Sequence, residues 1–144
     1  MINFRIISRV VSVLLLIVGL LMWTGLPLSY IYQTENGQAI FLAGLTSCAL
    51  GGLLWFIEPG DERTLRKREG YLIVALGWLS VSLFGTLPYL FSGAIPGFSD
   101  AFFETVSGLT TTGASVLTDI EAQPKDILYW RSLTQWIGGM GIIV

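Results

Sequence analysis

Histidine is absent from this chain and cysteine occurs once, as Cys48. No internal disulfide can form, and no zinc-type cluster of thiolates and imidazoles can be assembled. Charge is scarce as well: 12% of the residues are Asp, Glu, Lys or Arg, about half of the roughly 25% in a soluble domain. A formal net charge of -2 gives no footing for nucleic acid. No polar stretch among the 144 residues is long enough for a separate soluble domain. No catalytic residues and no covalent cofactor are assigned, and the chain is not expected to be an enzyme.

What fills the chain instead is apolar. Hydrophobic residues make up 53% of it, the mean hydropathy is +0.70, and charge-free runs cover residues 10–34, 36–57 and 70–99. A helix crosses the hydrocarbon core with about 20 apolar residues, so each run can span once. The chain is therefore expected to be an all-α integral membrane protein whose first solvent is the lipid bilayer. Cys48 falls in the middle of the second run, where a small apolar packing residue is expected.

The first run is preceded by Arg5 and Arg9, as a secretory signal would be. Its apolar stretch is longer than the 7 to 15 residues of such a signal, and no small-x-small cleavage site follows. It reads as a retained helix. Lys and Arg mark the cytoplasmic side of a membrane protein. They stand before the first run (Arg5, Arg9), are absent between the first and second, and crowd the next connection as Arg63, Arg66, Lys67 and Arg68. The amino terminus is then cytoplasmic, with spans at residues 6–30, 38–57 and 71–91, an external turn at Glu35-Asn36-Gly37 and a cytoplasmic loop at 58–69.

Beyond the third span the pattern changes. Pro88, Pro96 and Gly97 break it, and Ser99 or Asp100 can cap a new helix with a side-chain oxygen. That helix, residues 100–109, is only about 15 Å long at 1.5 Å per residue, half of the roughly 30 Å core. Ala101, Phe102, Phe103, Val106 and Leu109 give it a broad apolar surface. It ends on Thr110, Thr111, Thr112 and Gly113, and a polar stretch with Asp119, Glu121, Lys125 and Asp126 suits a return to the outer face. A fourth helix is expected from about Ile127, with Tyr129, Trp130 and Trp136 as interfacial aromatics. No stop signal or basic cluster follows it, so the residues read as the amino-terminal part of a longer protein.

Span, half-helix, returning loop and span form the plan of a cation pore unit. A potassium ion must shed its water, and backbone carbonyls can replace that shell without a fixed charge that would trap it. Irregular backbone at membrane depth is tolerated only where it lines a cavity. Gly113 can take a positive φ, the three threonines offer hydroxyl as well as carbonyl oxygens, and the half-helix turns the negative end of its dipole toward the cation. The plainer reading of TTTGAS is an ordinary polar turn. Other residues also carry two readings. Asp100 either caps the helix or concentrates cations at the outer mouth. Glu104, a costly carboxylate at that depth, either meets the ion or holds Arg131 or loop N–H groups. Gly138, Gly139 and Gly141 are a hinge or a close-packing surface. The 58–69 loop touches a regulatory subunit or only sets topology, and Gly19, Gly44, Gly51 and Gly52 are assigned to packing.

The stretches DAFFETVSGLTTTGASV and ILYWRSLTQWIGGMGIIV, together with RKREGYLIVALGW upstream, resemble the first pore repeat of the TrkH/TrkG branch of the Trk/Ktr/HKT superfamily of potassium transporters. The two helices before them resemble the extra amino-terminal pair of that branch. The resemblance implies a division into an amino-terminal helix pair (1–57), a cytoplasmic loop (58–69) and a first pore repeat (70–144) whose last helix is incomplete. It implies potassium transport across the bacterial inner membrane, with one of four filter strands supplied here. It also implies a homodimer of the full-length protein and a cytosolic nucleotide-binding regulatory subunit. The filter residues carried over are Thr110, Thr111, Thr112, Gly113 and Ala114, with potassium held by oxygens of Thr111 and Thr112; Asp100, Glu104 and Arg131 support the half-helix. Two other classes remain in view: a homotetrameric potassium channel, disfavoured by the lack of a TVGYG-like filter, and a non-transporting assembly or sensor module.

Overall fold

The computed structural model of the chain describes residues 4–57 and 67–143. The basic connection expected at 58–69 therefore lies largely outside the described residues. Among those residues every element of regular structure is a helix: α1 (Phe4–Trp23), α2 (Leu26–Ile31), α3 (Gly37–Ile57), α4 (Lys67–Gly85), α5 (Leu87–Ser92), α6 (Phe98–Leu109) and α7 (Lys125–Ile143). Three stretches are long and apolar enough to cross a membrane, Phe4–Ile31, Gly37–Ile57 and Arg68–Ser92. Between 28% and 33% of their most apolar windows is buried inside the chain, so most of their surface is left for lipid or further protein. Val13, Ile17, Leu20, Phe41, Leu45, Leu53, Val74 and Leu79 all lie exposed on these helices.

Two of the expected spans are each broken near the carboxyl-terminal end. The first stops at Trp23 and restarts at Leu26, with Pro27 in the new first turn, where a missing N–H loses no bond. The Thr24 hydroxyl closes the old end on the Leu21 carbonyl at 2.6 Å. The third stops at Gly85 and restarts at Leu87, again with a proline, Pro88, in the first turn. There Tyr89 N–H bonds to the Thr86 carbonyl, and the Gly85 carbonyl accepts from Trp130 Nε1 on α7 at 2.9 Å. Trp130 is thus not the interfacial aromatic expected from sequence. It is 4% exposed, drawn inward because its N–H fills a place that the break opened. Trp136 remains exposed.

The half-helix also differs from expectation at its start. It begins at Phe98, with Gly97 as N-cap and no side-chain cap bond. Asp100 is therefore not the cap, nor is Ser99; Asp100 is an exposed acid in the first turn, where the helix dipole favours it. The 12 residues of α6 span about 18 Å, still well short of a crossing. The fourth helix starts at Lys125, two residues before the expected position.

α1 packs along α3 and α4, α6 against α7 and α4, and α5 against α3. Val18, Met22, Ile40, Ala43, Tyr89, Ile95, Ala101, Ile127 and Trp130 make one buried cluster, so α1 and α3 share a core with α5, α6 and α7. Lipid gives helices no hydrophobic reason to associate, and close contact does the work instead. Buried Ser12 donates to the Gly51 carbonyl at 2.7 Å, and Arg9 lies 3.4 Å over the Trp55 ring. A Cβ on Gly19 would come within 2.5 Å of Cys48 Sγ and 2.8 Å of the Gly44 carbonyl oxygen, so Cys48 is indeed a packing residue. Gly19→Ala should therefore lower stability by about 1–3 kcal/mol in thermal unfolding of detergent-solubilised protein. Gly52→Ala, with no heavy atom within 4 Å of the added carbon, should fall within about 0.5 kcal/mol of wild type.

Candidate functional site

The half-helix is fastened on its inner side before the loop begins. Thr105 Oγ1 donates to the Ala101 carbonyl at 2.8 Å and lies 3.3 Å from the Thr86 hydroxyl at the break of the third span. A Cβ on Gly108 would collide with Thr134 of α7, and one on Gly138 would fall inside the Leu109 carbonyl. Gly138 is therefore the contact that lets α7 lie against the end of α6. Gly139 and Gly141 have only ordinary contact distances, 3.9 Å to Thr111 and Trp78.

At the end of α6 the chain turns sharply. Thr111 has φ 56° and Gly113 φ 77°, both left-handed. Glycine takes that region freely. Thr111, a β-branched residue, does so at a cost, and the sequence carried no sign of it. The turn closes through four backbone bonds: Thr110 N–H to Val106 O (2.8 Å), Thr111 N–H to Gly108 O (2.9 Å), and both Thr112 N–H (3.0 Å) and Gly113 N–H (3.3 Å) to Ser107 O. The Thr110 hydroxyl donates to Val106 O and lies 2.8 Å from the Thr112 hydroxyl. The carbonyls of Thr110, Thr111 and Thr112 accept no hydrogen bond among the described residues, and residues 110–114 are exposed. The amide donors of residues 110–113 are used internally, Gly113 O and Ala114 O take Arg131 and Ser107, and the three free carbonyls of Thr110, Thr111 and Thr112 suit the loop to a cation and not to an anion.

Glu104 anchors the returning strand. It is 1% exposed and receives Arg131 Nε at 2.6 Å on Oε1. Val116 N–H donates to Oε2 at 3.0 Å, and the Ser115 hydroxyl lies 2.9 Å from Oε2 and itself accepts Leu117 N–H at 3.1 Å. Arg131 Nη2 also reaches the Gly113 carbonyl at 3.5 Å. One carboxylate thus holds α6, the strand after the loop and α7 together, and its oxygens are turned to these partners and away from the exposed loop. Asp100, exposed one turn earlier on α6, is not among the bonded partners of this carboxylate.

Sequence reasoning missed Asp126, which it took only as part of a polar return. The residue is fully buried at the start of α7 and accepts from Ser29 (2.8 Å), Thr34 (2.6 Å), Asn36 (3.4 Å) and Ile127 N–H (2.9 Å). The available signal was an acid in the first turn of a helix together with hydroxyl and amide side chains in and after α2; nothing in the sequence paired them.

Residues 36–144 match the TrkH family model, described as cation transport protein. The chain is 41% identical to the Trk system potassium uptake protein TrkH of Escherichia coli (strain K12) over 145 residues, 99% of this chain and 30% of that protein. It is 30% identical to TrkG of the same strain, with the same coverage. The crystal structure of the potassium transporter TrkH from Vibrio parahaemolyticus superposes with a TM-score of 0.92 at 36% identity, over 99% of this chain and 31% of that one. The chain thus spans about 30% of the length of the curated relatives it matches.

Removing one partner of a buried ion pair leaves an uncompensated charge. Glu104→Gln and Arg131→Gln should each lower stability by about 3–5 kcal/mol, and the double variant should cost clearly less than their sum. Thermal or denaturant unfolding of the four proteins as a double-mutant cycle measures the coupling; additive losses would show that the contact contributes nothing.

Proposed function

Because the chain belongs to the TrkH family of cation transport proteins, we propose that it carries one strand of a potassium filter within a membrane-embedded uptake protein. The observation that supports this most is the end of α6, where a helix too short to cross a bilayer delivers free carbonyls at Thr110, Thr111 and Thr112 beside the left-handed Gly113.

In this reading a dehydrating potassium ion exchanges its water for oxygens of Thr111 and Thr112, with Thr110, Gly113 and Ala114 completing the strand. The carboxyl-terminal end of α6 lowers the energy of the cation there. Glu104 and Arg131 do not bind the ion; they keep the strand from relaxing, and Arg131 steadies the Gly113 carbonyl. One strand cannot surround an ion, so the remaining strands come from elsewhere in a transporter of which these residues are a part, arranged as helix pair (1–57), cytoplasmic loop (58–69) and first pore repeat (70–144). The membrane is the bacterial inner membrane, with the amino terminus inside, as the placement of Arg5, Arg9 and Arg68 favours. The intact protein is a homodimer served by a cytosolic nucleotide-binding regulatory subunit.

Gly113→Ser in the intact transporter tests the filter assignment. A Cβ opposes the φ of 77°, so potassium uptake or its preference over sodium should fall at least about tenfold, equivalent to about 1.4 kcal/mol, with the amount in the membrane unchanged. Wild-type growth on limiting potassium with unchanged sodium exclusion would remove Gly113 from the filter. Selective potassium flux through liposomes holding only the 144-residue chain would instead favour a homotetrameric channel. For topology, a cysteine placed at position 64 should resist an impermeant thiol reagent added outside intact cells; labelling would reverse the orientation.

A further inference from the structure

We propose that Asp126 is a positioning residue for the filter strand, through which the amino-terminal helix pair sets where α7, and with it Arg131, stands. The inference rests on the reading of residues 110–114 as a filter strand.

A fully buried carboxylate would be expected to have a cation beside it, yet among the described residues no Lys or Arg pairs with Asp126. Its charge is met by hydrogen bonds and by the amino-terminal end of α7, where the helix dipole is positive. Oδ2 accepts the hydroxyls of Ser29 at 2.8 Å and Thr34 at 2.6 Å. Oδ1 accepts Ile127 N–H at 2.9 Å and Asn36 Nδ2 at 3.4 Å. Ser29 belongs to α2, and Thr34 and Asn36 to the turn before α3. Three side chains more than 90 residues away, or nearly so, thus converge on one group of the pore unit, at separations of 97, 92 and 90. A second tie lies beside it, the hydroxyls of Thr24 and Tyr129 at 3.0 Å.

From this clamp α7 runs as an unbroken helix into the filter support. Ile127 and Trp130 lock it into the shared core, and Arg131 lies five residues after Asp126, about 7.5 Å along the axis. Arg131 holds Glu104 and reaches the Gly113 carbonyl. A site of this kind needs its ligands within about 0.5 Å of the working geometry. A shift of the α7 start would pass straight to Arg131, because a regular helix has no slack between the two.

Potassium uptake kinetics in the intact transporter, normalised to protein in the membrane, test this. Asp126→Asn should raise the KM for potassium about tenfold and lower potassium-over-sodium discrimination, as loss of charge-assisted bonds permits the α7 start to move. Thr34→Val should shift both in the same direction by about threefold, and Thr34→Ser, which keeps the hydroxyl, should restore them. A purely structural role would lower maximal uptake in proportion to protein amount and leave KM and discrimination unchanged in Asp126→Asn and Thr34→Val alike; that result overturns the proposal. If Asp126→Asn fails to accumulate, the Thr34→Val and Thr34→Ser pair decides. Gly113→Ser separates the two levels: unaltered KM and discrimination there would end the filter reading and this inference with it, whereas altered values there with normal Asp126 and Thr34 variants would end this inference alone.

Discussion

The bond from Arg131 to Glu104 is the constraint on which the arrangement of α6, the loop after it and α7 depends. The loop after α6 has its amide donors turned inward and three carbonyls without donors, an arrangement that unsupported backbone would abandon by rotating its peptides. Glu104 prevents this by gripping the returning strand through Ser115 and Val116 N–H while Arg131 closes the third side. A buried carboxylate and a guanidinium bring little net stability as a pair. Their value here is directional: a planar donor and a two-oxygen acceptor define where three segments meet, which apolar packing alone would leave loose.

That grip depends on α7 lying close to α6, and the closeness has a steric origin. Gly108 and Gly138 remove the two Cβ atoms that would separate the helices. On the other side of the same helix, Trp130 fills the Gly85 carbonyl left by the break before Pro88. The break in the third span is thus part of the docking surface for α7. At the break Tyr89 N–H turns to the Thr86 carbonyl, which leaves the Gly85 carbonyl open inside the packed helices, and the indole N–H answers it.

The amino-terminal pair enters the same scheme through Asp126. Its helices leave most of their apolar surface uncovered within the chain, yet the polar residues Ser29, Thr34 and Asn36 around the turn between α2 and α3 all reach a single carboxylate at the start of α7. Buried polar groups with every partner in place specify one arrangement among many that are similarly greasy. Here they select the relation between two helical layers that share one core.

Much of this was legible along the chain, because its physics is local. Apolar runs of known length report spans, a helix of half-membrane length reports a re-entrant segment, and a glycine after threonines reports a turn that needs positive φ; the TrkH-like motifs were readable for the same reason, being contiguous. Glu104 could be singled out because a carboxylate inside an apolar half-helix must have a partner. What the chain alone did not decide was who meets whom. Cap assignment failed at Asp100 because propensity cannot tell a capping side chain from one in the first turn. Trp130 was misjudged because amphipathic aromatics suit an interface and a buried carbonyl equally well. The strain at Thr111 and the convergence on Asp126 were invisible, since both arise from segments about 90 residues apart or from closure of the loop itself. Sequence determined which helices are long enough to cross a membrane, which is too short, and where the chain turns, through hydrophobicity and backbone freedom. Only tertiary structure decided which buried polar groups satisfy one another, because hydrogen bonds are short and directional and pair whatever the packed helices bring within 3 Å of each other.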